Sequence, residues 1–127
     1  MADLQGGDYI YNVLSNASGV TALTTAIYNS RLIPETETTS TTINFYTTGG
    51  LDYSFEFNQV SWSINCRART EPEALTLAVA VKDAINRVQK VVNSKRNFCT
   101  CSILPVIPPI DDTDKYNIPV ETLVKTN

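Results

Sequence analysis

The hydrophobic pattern of the chain begins with a short helix. Behind Asp8, a residue type favoured at helix N-caps, four apolar side chains recur at helical spacing: Tyr9, Ile10, Val13 and Leu14. The pattern predicts a helix over 9–15 that gives way near Ser18–Gly19, followed by an extended segment over 27–32. Residues 35–42 contain only Thr, Glu and Ser, and this composition predicts a solvated loop.

From Ile43, residues of the two strand faces alternate along the chain, and this period of two predicts strands. Gly49–Gly50 predicts a hairpin turn between them. The clearest strand follows it. Its even positions are apolar and its odd positions are polar: Val60, Trp62, Ile64, Cys66 and Ala68 against Gln59, Ser61, Ser63, Asn65, Arg67 and Arg69. The apolar positions change from odd to even across Asn58–Gln59. A β-bulge or a two-residue turn explains the change, and the absence of glycine there favours the bulge.

Residues 70–73 have the composition of a helix start. Thr70 is the predicted N-cap, Pro72 fits the first turn and Glu73 completes a capping box. The helix is predicted to continue to about Asn93. Its core stripe consists of Leu77, Val81, Ala84, Ile85, Val88 and Val92.

Two more strands are predicted, over 98–106 and 115–125. Pro119 lies inside the last one, and since proline cannot donate to a ladder, that strand is expected at a sheet edge. The element order predicts an α+β fold. It consists of a mostly antiparallel sheet with a short N-terminal helix and one long helix packed on one face. We expect a single domain over 1–127.

Charge and composition narrow the range of functions. The formal charge of −3 argues against a general nucleic-acid binder, which needs a basic face. The cations Lys90, Lys95 and Arg96 are interpreted as complementing the end of the long helix. No apolar run approaches the roughly 20 residues that span a bilayer, and the first residues do not resemble a signal peptide. These features predict a protein that is made and kept in the cytoplasm, at least at first.

The sequence shows no pattern typical of an enzyme or a metal site. It contains no histidine and no glycine-rich phosphate loop, and its acidic pairs lie in polar loops, where nothing raises their pKa values. Cys66, Cys99 and Cys101 are interpreted as small buried hydrophobes. The alternative, a zinc site, would need a carboxylate as fourth ligand. We therefore expect no catalytic residues, no cofactor and no bound metal.

The polar face of the strand over 59–69 is the candidate interaction surface. Ser63, Asn65, Arg67 and Arg69 can form hydrogen bonds at a contact with another subunit or another protein, where each guanidinium can pair with a carboxylate of a neighbour. The candidate carboxylates are placed in loops: Glu35, Glu37, Asp52 and Asp111. An ordinary solvated sheet face is the alternative interpretation.

The layout also resembles the tail terminator, or tail-completion, family of long-tailed bacteriophages. The similar segments run along almost the whole chain and share their order and spacing with that family: the helix over 9–15, residues 26–28 with Pro34 after them, the strands over 43–46 and 63–68, the Ala-rich helix over 73–88 and the closing strand from 114–116.

The resemblance implies a structural virion protein that forms a ring, commonly of six subunits, at the head-proximal end of a phage tail. Such a ring stops growth of the tail tube and joins the tail to the head. Its implied partners are copies of itself, the tail tube protein and a head–tail connector or stopper protein, with no membrane and no specific nucleic acid. The implied location is the virion tail or neck, and the host cytoplasm during assembly. The alternatives are another neck or minor tail protein and a small intracellular protein-binding domain.

Overall fold

The computed structural model describes residues 7–30, 32–33, 39–53, 58–92, 94–107 and 115–126. Three helices and six strands follow one another along the chain: α1 (Gly7–Asn16), α2 (Ser18–Thr21), β1 (Ile27–Tyr28), β2 (Thr42–Tyr53), β3 (Asn58–Ala68), α3 (Glu71–Ile85), β4 (Gln89–Val92), β5 (Lys95–Ile103) and β6 (Tyr116–Thr126). The predicted α+β fold is confirmed.

The six strands form one sheet in the order β1-β2-β3-β6-β5-β4. Every neighbouring pair is antiparallel except β1 and β2, which are parallel. The helix α3 packs on β3, β5 and β6, and α1 contacts both β1 and β4. Since these two strands lie at opposite edges, the sheet curls around the helices, which leaves its outer face uncovered by them.

The alternation predicted for 60–68 is confirmed, and it forms the centre of the core. All five even positions are at most 1% exposed, and Val120 and Val124 of β6 lie beside them on the same face. Phe45 of β2 packs against Trp62 with ring centroids 5.8 Å apart and a tilt of 55°, a geometry that aromatic pairs favour. The curled sheet and the apolar stripes of the helices therefore enclose one core.

Near the amino end, the structure corrects two boundaries. Helix α1 already includes Gly7, so Asp8 lies in the first turn and is not the N-cap. After α1 the chain forms the separate short helix α2, and the extended segment predicted over 27–32 is a strand of two residues only. An acidic side chain in a first turn still complements the positive end of the helix.

The hairpin predicted at Gly49–Gly50 is wrong, because β2 continues through both glycines. The register against β3 shifts between Thr47 and Gly49 and again between Gly49 and Asp52, so the glycines lie at an irregularity of the strand. The bulge predicted at Asn58–Gln59 is also wrong. Tyr53 of β2 pairs with Asn58 of β3 in an antiparallel ladder, so the change of parity reflects two separate strands.

The predicted start of the long helix is confirmed. Thr70 is the N-cap, and its hydroxyl accepts a hydrogen bond from the Glu73 amide at 3.3 Å. The same hydroxyl donates to the Glu73 carboxylate at 2.8 Å, which ties the two capping residues together. Pro72 lies in the first turn, where its missing N–H leaves no helical bond unmade.

The predicted end of this helix, near Asn93, is wrong. Helix α3 ends at Ile85, Arg87 has a positive φ of 62°, and the chain then forms β4. Two bonds join the turn to β5: the Arg87 amide donates to the Cys99 carbonyl at 2.7 Å, and the Cys101 amide donates to Asn86 Oδ1 at 3.1 Å. These bonds redirect the chain into the sheet.

The position predicted for the last strand is wrong as well, because β6 lies between β3 and β5. In an antiparallel ladder the amide and carbonyl of one residue point to the same side. The Pro119 carbonyl accepts from the Leu104 amide at 2.9 Å, so the proline nitrogen also points toward the chain that follows β5. Since β5 ends at Ile103, the missing donor falls at the end of that ladder.

Candidate functional site

The outer face of β3 carries the polar residues that the sequence singled out, and two of them are buried. Ser63 is 5% exposed and Asn65 is 6% exposed. The Ser63 hydroxyl donates to Asn65 Oδ1 at 3.3 Å, and Asn65 Nδ2 donates to the Tyr46 hydroxyl of β2 at 3.2 Å. These side chains therefore bond to one another within the chain, as buried polar groups must.

Arg67 lies further along the same face and is half-buried. It lies between Thr42 of β2 and Asn117 of β6, its partners in the register of the two ladders. Thr42 Oγ1 and Asn117 Oδ1 are buried, and neither has a hydrogen-bond partner among the described residues. Arg67 forms no salt bridge with any residue that the structure describes. In the register, Arg67 thus lies between two residues that each have a buried acceptor without a partner among the described residues.

Arg69 follows the end of β3 and is exposed, in the bend that leads into α3. Of the carboxylates predicted to pair with the arginines, Glu35, Glu37 and Asp111 lie outside the described residues. Asp52 belongs to β2 and faces Gln59 in the register, but its side chain lies outside the described part. The structure therefore brings Ser63, Asn65 and Arg67 together on one strand, and pairing of the arginines with a neighbour stays a prediction.

A groove between α2 and α3 was missed by the sequence analysis. It has a volume of about 770 Å³ and is lined mainly by small or apolar side chains, among them Ala17, Leu23, Val79 and Ala80. Leu23 and Val79 are 41% and 42% exposed. Beyond Leu23 a second hollow of about 300 Å³ extends to Pro72 and Glu73. We call these two hollows the helical groove.

The rim of the helical groove is acidic. Asp83 lines one end and Glu73 the other. The helices α1, α2 and α3 together carry four acidic residues, Asp8, Glu71, Glu73 and Asp83, against the single base Lys82. Val79 is the signal in the sequence, because this apolar residue lies outside the core stripe predicted for the long helix.

A second surface was misinterpreted from the sequence, because α3 ends at Ile85. Lys90, Lys95 and Arg96 therefore belong to the β4–β5 hairpin and do not complement a helix end. With Arg87, they are the four cations of a stretch, 84–110, that contains no acidic residue. None of the four forms a salt bridge with another described residue. We call residues 87–98 the basic hairpin.

The basic hairpin is held firmly by a buried amide. Asn97 is 1% exposed, and its Nδ2 donates to the carbonyls of Lys90 at 3.4 Å and Lys95 at 3.0 Å. Its Oδ1 accepts from the Thr126 hydroxyl of β6 at 2.9 Å. On the outer face Val91 is 63% exposed and lies opposite Arg96. The outer face of the hairpin thus presents an apolar side chain of an edge strand beside Arg96, whereas Lys90 and Lys95 lie on the opposite face.

The cysteines are free thiols. Cys66 and Cys99 are buried and Cys101 is half-buried. Burial raises the pKa of the Cys66 thiol. A hydrogen bond to Cys101, together with burial, raises the pKa of Cys99, and the same bond lowers that of Cys101. A thiol with a raised pKa is a poor nucleophile at neutral pH.

In the part of the chain that the structure describes, no group of three or more Cys, Asp or Glu side chains is placed to hold a metal ion. Over the same ranges, no helix combines the length and the apolar character that a membrane span requires.

Comparisons with known proteins identify the fold. No protein-family model matches the chain, and no curated protein sequence matches it. A chain in the virion of a native gene transfer agent particle has the same fold, with a TM-score of 0.69 and 18% identity. The match covers 92% of this chain and 90% of that one. A second solved structure matches with a TM-score of 0.64 and 7% identity, over 94% of both chains. At these identities the likeness shows a shared fold.

Proposed function

We propose that this chain is a structural virion protein that acts by assembly and not by catalysis. It forms a ring at the head-proximal end of a phage tail, stops growth of the tail tube and joins the tail to the head. The observation that carries the proposal is the fold shared over 92% of the chain with a protein of a phage-like virion particle. The family resemblance of the sequence supports the position in the tail.

The surfaces of the chain support an assembly role. The helical groove and the basic hairpin both expose apolar side chains beside charges, and Arg67 and Arg69 carry charges without a partner among the described residues. A subunit that contacts its neighbours through two different surfaces can close a ring, whereas one self-complementary surface closes a dimer.

Arg67 on the outer sheet face and Arg69 in the bend after β3 are assigned to the contact with the tail tube. A guanidinium can form two parallel hydrogen bonds with one carboxylate, and such a pair is stronger and more directional than a contact with lysine. If the two arginines are instead only solvated, each contributes about 0–1 kcal/mol to binding. The effect of substituting them therefore distinguishes a tube contact from a solvated surface.

The test is a double substitution, Arg67→Glu with Arg69→Glu, examined in tail assembly. We expect the variant to fold, as judged by circular dichroism and thermal melting, and to leave tails overlong and unjoined. The matched control, Arg67→Lys with Arg69→Lys, keeps both charges but not the paired geometry and should cap tails partially. Tails of normal length that join heads in the presence of the Glu variant would show that the outer-face arginines play no part.

The oligomeric state helps to distinguish the proposed ring from the two alternatives. These are a different neck or minor tail protein and a small protein-binding domain. Light scattering on the eluting protein should show a ring whose population rises with concentration. A chain that stays monomeric and does not alter tail length would contradict the proposal.

A further inference from the structure

We infer that the basic hairpin of one copy docks in the helical groove of the next copy, so that subunits join head to tail. This inference rests on the proposed ring and names the surfaces that build it. The occupant of the groove is thus a second copy of this chain.

The two surfaces belong to different parts of the molecule. The helical groove is lined by residues of α2, α3 and the segments next to them, and the hairpin contributes none of them. Strand β4 packs on β5 and α1, and the Tyr9 hydroxyl of α1 donates to the Val88 carbonyl at 2.6 Å. A contact between two unlike surfaces leaves one of each free on every pair, so further copies can add until the ring closes.

The charges of the two surfaces are complementary. The hairpin carries Arg87, Lys90, Lys95 and Arg96, of which Arg96 shares the outer face with Val91, while Glu73 and Asp83 mark the two ends of the groove. Opposite potentials of this kind steer association and fix the orientation of two partners. The same charges repel hairpin from hairpin and groove from groove, which disfavours a symmetric dimer.

The apolar parts are complementary as well. Val91 projects from the outer face of the hairpin, and Arg96 is its cross-strand neighbour, so the two side chains lie side by side. The groove offers Leu23 and Val79, both about two-fifths exposed, in a space of about 770 Å³. Val91 can therefore contact Val79 while Arg96 approaches a carboxylate of the rim.

A nucleic-acid backbone is the other partner that four cations could bind. The observations favour a protein, because phosphate binding gains nothing from an exposed valine beside Arg96, and because Lys90 and Lys95 lie on the opposite face of the hairpin. The chain as a whole is also acidic, with a formal charge of −3. Binding of this protein to duplex DNA is thus an outcome of the test and not the inference.

The experiment uses two single variants of the full chain, Val91→Asp on the hairpin and Val79→Asp in the groove. Both positions are exposed, so each variant should fold, and circular dichroism with thermal melting checks this. We expect each variant alone to lose association at least about tenfold, because an interface valine is replaced by a charge. Sedimentation velocity over a range of concentrations measures the loss.

Mixing the variants gives the decisive result. A Val91→Asp subunit still has a native groove and a Val79→Asp subunit still has a native hairpin, so an equimolar mixture should form a complex of two subunits and nothing larger. Raising the ionic strength from about 0.05 to 0.5 M should weaken that complex, because shorter screening lengths reduce the attraction of the two rims.

Each contrary result overturns the inference in a different way. Wild-type assemblies formed by either variant alone would place the ring contact elsewhere and leave the proposed function standing. Two monomeric variants that stay monomeric when mixed would show that the surfaces have different occupants. Loss of duplex DNA binding in Val91→Asp, with unchanged self-association, would assign the hairpin to nucleic acid. A monomeric wild-type chain would refute both proposals together.

Discussion

Replacing Val81 with Asp tests whether α3 packs on the sheet as the structure shows. Val81 is completely buried in the core cluster. Losing its buried side chain costs roughly 1.5–3 kcal/mol. A carboxyl group left there without a partner costs roughly another 1–3 kcal/mol even when it is protonated. The total of about 3–6 kcal/mol is a large part of the roughly 5–15 kcal/mol that holds a small domain together.

Thermal melting followed by circular dichroism measures the effect, and Leu75→Asp is the matched control, because Leu75 lies outside the helical groove. For a chain of 127 residues, the loss in Val81→Asp corresponds to a melting temperature lower by about 10–20 °C. Leu75 lies on the same helix but is 47% exposed, so the same substitution there should cost less than about 1 kcal/mol. Equal melting temperatures of the two variants would show that the buried face of α3 is wrongly assigned.

Three further changes are predicted for urea unfolding. Ser94 has a positive φ of 64°, so Ser94→Gly should add up to about 1 kcal/mol of stability and Ser94→Val should remove some. Thr70→Ala should cost about 1 kcal/mol by removing the α3 N-cap, whereas Thr70→Ser should cost little. Burial raises the pKa values of Cys66 and Tyr9 above their ordinary 9.0 and 10.0, so stability should fall as pH rises past about 9, where the unfolded chain loses these protons first. Cys66→Ala should make that fall shallower by up to about 1.4 kcal/mol per pH unit.

Much of the fold could be predicted because its signals are local. Alternation over 60–68 identifies a strand with one buried face, since successive side chains point to opposite sides. Thr70, Pro72 and Glu73 identify the start of α3, since the unpaired amides of a first turn need acceptors from nearby side chains. Both features depend on residues only a few positions apart, and the structure confirms both.

The end of α3 could not be predicted because the spacing of its last apolar residues suits both a helix and a strand. Val88 and Val92 are four residues apart, a spacing that suits one face of a helix and equally one face of a strand. Both are partly buried against the core, as the helical interpretation required, but Val92 belongs to β4. The bonds that decide the matter join Asn86 and Arg87 to β5, more than ten residues away. No local pattern contains them.

The strand order could not be predicted from Pro119 for a related reason. A proline excludes one donor on one side of its strand, and the cost depends on what lies on that side. Here the side faces Leu104, just after the end of β5, so a central strand loses a single bond at the end of a ladder. Proline is confined to edge strands because it cannot donate a hydrogen bond to a neighbouring strand. At the end of a ladder, as at an edge, no neighbouring strand needs that donor.

Polar residues on a strand do not by themselves indicate a contact surface. Ser63 and Asn65 were candidates because their side chains form hydrogen bonds, but Asn65 bonds to Ser63 and to Tyr46 inside the chain. A neutral polar residue can be satisfied by its own sheet, so its presence on a strand does not distinguish a contact surface from an internal network. Charged residues are more informative because burying an unpaired charge is too costly. The cations of the basic hairpin, three of them exposed, lie in a stretch of 27 residues without a carboxylate and must therefore meet either water or a partner outside the stretch. The exposed Val91 beside Arg96 favours a partner.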